Sequence, residues 1–260
     1  MNQQHSTLTL DCAGLGVPPG SYALPSEAAA RDHATAAALD PDAFAAHLRE
    51  HFTGQRPVAE LAPEEITFLR AELNHQVTER REVALDYFNR HVPRRFAAAE
   101  PDTAARDWAA RVVAAPQDTK SLLLVGPVGV GKTHYAFAAL RAVADTGSTI
   151  RWQAYTAANL YAALRPRDDR RADTDYESIA HAPLLLIDDL GAAKLTEWAE
   201  EITYRLVNDR YERCLPTILT TNLLPGQLGA TIGDRVASRI AEMCDRIALK
   251  GNDRRKQAGK

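Results

Sequence analysis

Apolar and polar positions follow two different patterns along the 260-residue chain. Up to about residue 115, apolar residues recur mainly at the spacing that places them on one face of a helix. A second helical segment in this half is predicted to end before Pro93, because proline interrupts a helix. The clearest apolar stripe follows Pro63, a typical first helical residue, and consists of Ile66, Leu69, Leu73 and Val77.

After residue 116, short apolar runs alternate with amphipathic segments. The runs predict strands at 121–125, 149–153, 184–187, 217–221 and 247–249. The segments between them predict helices at 132–145, 157–164, 176–181, 197–213 and 234–243. Fully apolar strands that alternate with helices are typical of parallel sheets covered on both faces. The sequence therefore predicts an α/β domain here.

These patterns divide the chain into three segments. Residues 1–25 mix glycine, proline and small polar residues and predict a flexible leader. Residues 26–115 predict a mostly helical region, and residues 116–260 predict the α/β domain with a basic tail. The stretch 246–260 carries six lysines and arginines, which indicates either a phosphate-binding segment or a solvated end.

A G-x-x-x-x-G-K-T sequence lies between the first predicted strand of this domain and its first helix. Backbone N–H groups of such a loop can point at phosphate oxygens, and the helix N-terminus adds a partial positive charge. Lys132 is predicted to contact the β- and γ-phosphates of ATP, and the Thr133 hydroxyl to bind Mg²⁺. The predicted nucleotide-binding residues of this stretch are Gly126, Pro127, Val128, Gly129, Val130, Gly131, Lys132, Thr133 and His134.

Polar residues follow two later strands, at the sheet edge where ligands bind in α/β proteins. Asp188 is predicted to hold Mg²⁺, and Asp189 to polarise an attacking water. Asn222 can both donate and accept a hydrogen bond, which suits a residue between that water and the γ-phosphate. Asparagine is also favoured in turns, so a purely structural role stays open for Asn222.

Arg235 and Arg239 lie four residues apart, on one face of the predicted helix 234–243. One interpretation is a solvated helix face. The other is that an arginine of this pair is presented to the γ-phosphate of a neighbouring subunit.

Composition narrows the classes of function. The net charge of −3 excludes a polycation, so any nucleic-acid contact requires a local basic patch. The sequence has no run of about 18 apolar residues and no secretory leader, which predicts a cytoplasmic protein without membrane contact. Its three cysteines are far apart and indicate neither a disulfide framework nor a zinc site.

Taken in order, these motifs resemble the AAA+ ATPase module, and more narrowly the DnaC/DnaI/IstB group of helicase loaders and transposition helpers. The matching stretches are 126–133, 184–191, 220–222 and 233–240, with V-P-R-R-F at 92–96 and G-N-D-R-R at 251–255. The resemblance implies a P-loop core with a five-stranded parallel sheet flanked by helices and no C-terminal helical lid. A mostly helical N-terminal region is expected to precede this core.

The resemblance also implies roles for single residues. Asp188 matches the Walker B metal residue, and Asp189 takes the place of the catalytic carboxylate. Asn222 matches sensor 1, Arg239 an arginine finger acting in trans, and Arg255 a sensor 2. Many AAA+ proteins have Glu where Asp189 stands, and the shorter side chain favours a slow switch over a fast motor.

The function implied first is that of an ATP-dependent helicase loader in DNA replication. Such a protein binds ATP, Mg²⁺ and single-stranded DNA, and self-associates through Arg239 and the neighbouring P-loop. It delivers a DnaB-like replicative helicase through its N-terminal region, docked either on part of the 66–77 stripe or on the surface near Tyr87 and Phe88. The stripe could equally be buried within a small helical bundle.

Two alternative functions stay open. An IstB-like transposition helper would share the ATPase core but engage a transposase. A P-loop small-molecule kinase would carry an arginine-rich lid and have no use for Asp189, Asn222 and Arg239 in this order.

Overall fold

The computed structural model describes residues 7–9, 21–52, 60–165, 171–192 and 196–251. Its contacts divide the chain into two compact units, Met1–Val83 and Ala84–Lys260. None of the described helices has the length and apolar content needed to cross a membrane.

The first unit is mostly helical, as expected for the N-terminal region. It contains β1 (Thr7–Thr9), β2 (Ser21–Ala23), α1 (Glu27–Ala36), α2 (Pro41–Phe52) and the first part of α3 (Pro63–His91). The two strands pair antiparallel within the predicted leader, and Tyr22 of β2 is buried. Leu69 and Leu73 of the predicted stripe are fully buried in the core of this unit.

The second unit is built on a five-stranded sheet in the order β4-β5-β6-β3-β7, with every neighbouring pair parallel. Its strands are β3 (Ser121–Val125), β4 (Trp152–Thr156), β5 (Leu184–Asp188), β6 (Thr217–Thr221) and β7 (Cys244–Ala248). Its further helices are α4 (Thr103–Ala114), α5 (Lys132–Asp145), α6 (Ala157–Leu164), α7 (Arg171–Ala180), α8 (Glu197–Glu212), α9 (Pro225–Ile232) and α10 (Asp234–Met243). The predicted five-stranded parallel sheet is confirmed.

Helices cover both faces of this sheet because side chains of successive strand residues point to opposite sides. Leu122 and Leu124 of β3 belong to one core, together with Phe137 of α5. Leu123 of β3 belongs to the core on the other face, together with Leu206 of α8. This double burial explains why the central strands read as continuous apolar runs.

The larger differences from the sequence prediction in the second unit concern α7, β4, β7 and α9. α7 begins at Arg171 rather than at 176. β4 begins at Trp152 rather than at 149. Residues 148–150 belong to no helix or strand, and the Ser148 hydroxyl accepts a hydrogen bond from the Ile150 amide. β7 begins at Cys244, earlier than predicted, since this edge strand carries charged, exposed residues instead of an apolar run. α9 was not predicted, because Gly226 and Gly229 lower its helix propensity.

The two compact units also divide upstream of the boundary placed between 115 and 116 from the sequence. Helix α4, which lies within the region 26–115 predicted as mostly helical, contributes to the core beside the sheet. Its Trp108 is 1% exposed, and the indole N–H donates to the Lys120 carbonyl at 2.8 Å. A truncation that starts near Asp118 would therefore remove part of this core, whereas one that starts at Ala84 would keep it.

A buried arginine ties α8 to the ends of three neighbouring segments. Arg210 is 1% exposed and donates to the carbonyls of Ala180, Ala182 and Pro216 and to the Thr217 hydroxyl, at 2.7–2.9 Å. Burial lowers the pKa of Arg210 to about 9. Because this value is still above neutral pH, the guanidinium stays charged. The side chain thus replaces water as the partner of three buried carbonyl groups.

We expect Arg210→Ala to lower the free energy of unfolding by about 3–5 kcal/mol, because it leaves buried acceptors unsatisfied. Arg213→Ala, at an exposed arginine that directly follows the same helix, is the matched control and should change stability by less than about 0.5 kcal/mol. Urea denaturation of both variants measures the difference. Equal stability of the two variants would contradict the structural role of Arg210.

Candidate nucleotide-binding site

The parallel sheet brings the predicted motifs to one edge of the second unit. The glycine-rich loop follows β3, Asp188 ends β5, and Asn222 follows β6. Since β6 lies between β3 and β5, the three segments are neighbours at the carboxyl edge. They surround a cavity of about 360 Å³ that is lined by Arg95, Phe96, Val128, Gly129, Gly131, Lys132, Thr133, His134, Asp188, Asp189 and Asn222.

Glycines allow the loop its conformation. Gly129 and Gly131 have φ angles of 85° and 104°, in the left-handed region that glycine adopts readily. Gly131 directly precedes α5, so the N-terminus of this helix faces the loop. At Gly126 a Cβ atom would lie 2.4 Å from the backbone oxygen of Leu249, whose amide donates to the Val125 carbonyl at 2.8 Å.

We expect Gly126→Ala to cost about 1–3 kcal/mol of stability and to weaken nucleotide binding, because the added methyl group must push two backbone segments apart. Gly226→Ala is the matched control, since its would-be Cβ meets no atom within 4 Å among the described residues outside its own helix turn. Thermal melts and nucleotide titrations of both variants make the comparison. A Gly126→Ala protein as stable as the control would refute the close approach at Leu249.

Lys132 links the loop to the segment after β6. Its side chain is 5% exposed. The ammonium donates to the carbonyls of Gly126 and Pro127, both at 2.9 Å, and to Oδ1 of Asn222. A cation is therefore fixed beneath the loop, beside the helix N-terminus, where a polyphosphate would find hydrogen-bond donors and positive charge.

Asp188 lies next to Lys132 in a shell of hydroxyl groups. The Thr133 hydroxyl donates to its two carboxylate oxygens at 3.0 and 3.1 Å, and the Thr220 hydroxyl donates to Oδ1 at 2.6 Å. Burial raises the pKa of Asp188 above its usual range, and the hydrogen bond from Thr220 partly offsets this effect. A hydroxyl and a carboxylate are the hard oxygen ligands that suit Mg²⁺.

Asp189 adopts an unusual backbone conformation at the cavity. Its φ angle is 58°, which is rare for a residue with a side chain, and such strain is concentrated at functional sites. Its amide donates to the Thr220 hydroxyl at 2.9 Å, so this hydroxyl contacts both consecutive aspartates. Thr220 was not among the predicted site residues, although it belongs to the 220–222 motif.

The other predicted site residues that the structure describes do not line the cavity. Among the described ones, Val130 is buried behind the loop, and Gly126 and Pro127 contribute carbonyls to Lys132 rather than cavity surface. Arg239 of α10 does not line the cavity. Arg255 lies outside the described residues.

Two cavity residues were missed as site residues from the sequence. Arg95 and Phe96 lie at the cavity, and Phe96 stacks on Phe137 with ring centroids 4.9 Å apart. The V-P-R-R-F stretch was noticed as a family feature, but the pattern alone does not connect it to a loop 30 residues later.

Comparison with known sequences identifies the family. The sequence profile of the IstB-like ATP binding proteins matches residues 105–260, and the chain belongs to this family. It is 27% identical over 143 residues to the ATP-binding protein of insertion sequence IS21 from Pseudomonas aeruginosa, over 53% of each chain. An insertion-sequence ATP-binding protein from Mycobacterium tuberculosis is 30% identical over 137 residues, which cover 51% of this chain and 54% of that protein.

The replicative helicase loader DnaI from Bacillus subtilis is 26% identical over 136 residues, 49% of this chain and 43% of that protein. The chain thus spans about half the length of the curated relatives it matches.

Solved structures agree with this assignment. The DnaC helicase loader superposes with a TM-score of 0.51 at 26% identity and covers 61% of this chain and 100% of its own. DnaI gives a TM-score of 0.53 at 24% identity, over 63% of this chain and 94% of its own, which supports the fold. The predicted DnaC/DnaI/IstB resemblance and fold class are confirmed.

Proposed function

We propose that this protein binds ATP with Mg²⁺ at the cavity after β3, β5 and β6, and hydrolyses it slowly within an oligomer to assist DNA transposition. The observation that carries the proposal is the contact network of one cavity. Lys132 joins the loop to Asn222, while Thr133 and Thr220 hold Asp188 beside it.

The residues fit ATP and Mg²⁺. The loop glycines, the N-terminus of α5 and Lys132 would hold the phosphates, and Thr133 with Asp188 would hold the metal. When bound, Mg²⁺ neutralises charge on the phosphate oxygens. Asp189 would orient the attacking water and accept its proton, since it lines the same cavity.

Asn222 contributes through its position beside Lys132. Its Oδ1 accepts from the ammonium, which leaves the amide N–H groups as donors toward a water or a phosphate oxygen. The aromatic ring of Phe96 and the guanidinium of Arg95 offer a stacking surface and a charge at the cavity for the rest of the nucleotide.

Family membership and the insertion-sequence relatives support a transposition helper ahead of the helicase loader that sequence reasoning favoured first. The helicase loader is the second candidate, supported by the likeness to DnaC over the full length of that chain. In both cases the protein would hold single-stranded DNA mainly through phosphate contacts, with an affinity that falls as salt rises.

The partner experiment separates the two candidates. The tagged full-length protein is incubated with a replicative helicase or with a transposase of the insertion-sequence type, in the presence of ATP and Mg²⁺. Co-elution with the transposase alone supports the first candidate, and co-elution with the helicase alone replaces it by the second.

We expect the partner to bind the first unit, so that a variant reduced to residues 84–260 retains ATP binding but loses the partner. Because Leu69 and Leu73 are buried in that unit, their exposed neighbours on α3 are the better docking candidates. Substitution of the exposed Arg70 by Glu in the full-length chain provides a test without truncation. Undiminished partner capture by residues 84–260 would contradict this division of roles.

A further inference from the structure

Arg239 occupies an unusual environment between α10 and α8. The guanidinium carbon lies 5.3 Å from the ring centroid of Tyr204 and 5.5 Å from that of Tyr211. These tyrosines are seven residues apart, and two helical turns place them on the same face of α8. Arg235, one turn earlier on α10, is exposed instead. The two arginines therefore differ in surroundings although their spacing puts them on one helix face.

The contacts of Arg239 hold the side chain without neutralising it. Within the described part of the chain, its Nε atom is buried and has no hydrogen-bond partner. Glu242, on the next turn of α10, accepts a hydrogen bond from the Tyr211 hydroxyl at 2.7 Å. Aromatic rings attract a cation through their quadrupole and leave its N–H donors available.

Arg210, on the same helix as the two tyrosines, shows the contrasting arrangement. It is 1% exposed and makes four hydrogen bonds to backbone carbonyls and a hydroxyl. Arg239 is only partly buried and rests on rings rather than on acceptors. An arginine held for structure alone would be expected to have the partners that Arg210 has.

We infer that Tyr204 and Tyr211 are positioning residues that hold Arg239 ready for the γ-phosphate of a neighbouring subunit. The inference rests on the proposed hydrolysis of ATP within an oligomer, and on the role that the family resemblance implies for Arg239, an arginine finger acting in trans. The rings restrict the guanidinium to one region, and within the described residues its Nε–H group donates to no acceptor. No hydrogen bond of this donor to those residues then has to be broken when the neighbour binds ATP.

Loss of both rings should lower turnover without changing nucleotide binding. The Tyr204→Leu/Tyr211→Leu double variant is expected to reduce kcat roughly 5- to 30-fold, the range for losing two cation–aromatic contacts, with KM for ATP unchanged. The Tyr204→Phe/Tyr211→Phe variant keeps both rings and should stay within about twofold of the original kcat. A loss in the Phe variant equal to that in the Leu variant would assign the effect to the hydroxyls and overturn the inference.

Mixed oligomers separate positioning from general damage to the fold. Lys132→Ala subunits supply Arg239 but are expected to bind ATP only weakly, whereas Arg239→Ala subunits are expected to bind ATP but supply no finger. Their mixture should recover activity at interfaces that pair an intact loop with an intact arginine. The two Leu substitutions should abolish most of this recovery when placed in the Lys132→Ala subunit, and should have little effect in the Arg239→Ala subunit.

Each outcome of the mixing experiment is decisive. If the two Leu substitutions reduced the recovery equally in the Lys132→Ala and the Arg239→Ala subunits, their effect would be structural. That result would overturn the positioning role of the tyrosines but not the action of Arg239 in trans. Full recovery from both placements would also overturn the positioning role. Absence of recovery in the starting mixture, or full turnover of Arg239→Ala by itself, would refute the action of Arg239 in trans and with it this inference.

Discussion

Lys132→Ala is expected to raise the Kd for ATP roughly 10²- to 10⁴-fold, because it removes two charge-assisted hydrogen bonds to phosphate of about 1.5–3 kcal/mol each. Loop glycines and the N-terminus of α5 would remain, so weak binding through backbone N–H groups is expected to persist. Titration with a fluorescent ATP analogue measures the change.

The fold should survive this substitution. Lys132 itself lines the cavity, so its truncation opens space that water can enter, and the carbonyls left behind can be hydrated. Lys120→Ala, at an exposed lysine that precedes β3, is the matched control and should bind ATP normally. Unchanged affinity in a folded Lys132→Ala protein would remove this cavity as the nucleotide site.

Local sequence features were sufficient to predict those parts of the structure that depend mainly on residues close together in the chain. The central strands β3 and β6 have the predicted bounds, since apolar runs of this length flanked by turn residues have few alternatives in a soluble α/β protein. The glycine-rich loop could be predicted for the same reason, because its φ angles at Gly129 and Gly131 leave little choice of residue.

Features that depend on distant partners could not be predicted. The helical period of α4 is the same whether the helix packs in an N-terminal bundle or beside the sheet, and only the burial of Trp108 distinguishes the two. Thr220 gains its place between Asp188 and Asp189 from the pairing of β5 with β6, which the sequence of β6 does not state.

Arg235 and Arg239 on α10 show the same limit of prediction from sequence. Spacing on α10 makes the two residues equivalent, and the motif match alone singled out Arg239. Their environments differ because of Tyr204 and Tyr211, which belong to another helix. The distinction between a solvated and a held arginine is therefore a tertiary property.

Arg239→Ala is expected to lower kcat for ATP hydrolysis about 10³- to 10⁵-fold, the effect of removing an arginine that stabilises charge developing on the transferred phosphoryl group. The Kd for ATP should stay within about twofold, because Arg239 does not line the cavity of its own chain. Steady-state turnover and nucleotide titration on the same preparation measure both quantities.

Arg235→Ala provides the control for the Arg239 prediction, since it removes an equal charge from the exposed part of the same helix. It should leave turnover nearly unchanged, which would separate a specific role of Arg239 from a general effect of surface charge.

Dilution of the protein gives a second test of whether Arg239 acts between subunits. If the arginine of one subunit serves the nucleotide of the next, specific activity must fall as the protein is diluted below its assembly concentration, whereas a finger acting within one chain would give activity independent of concentration. Concentration-independent turnover, together with loss of activity in Arg239→Ala, would show that the arginine acts within its own subunit.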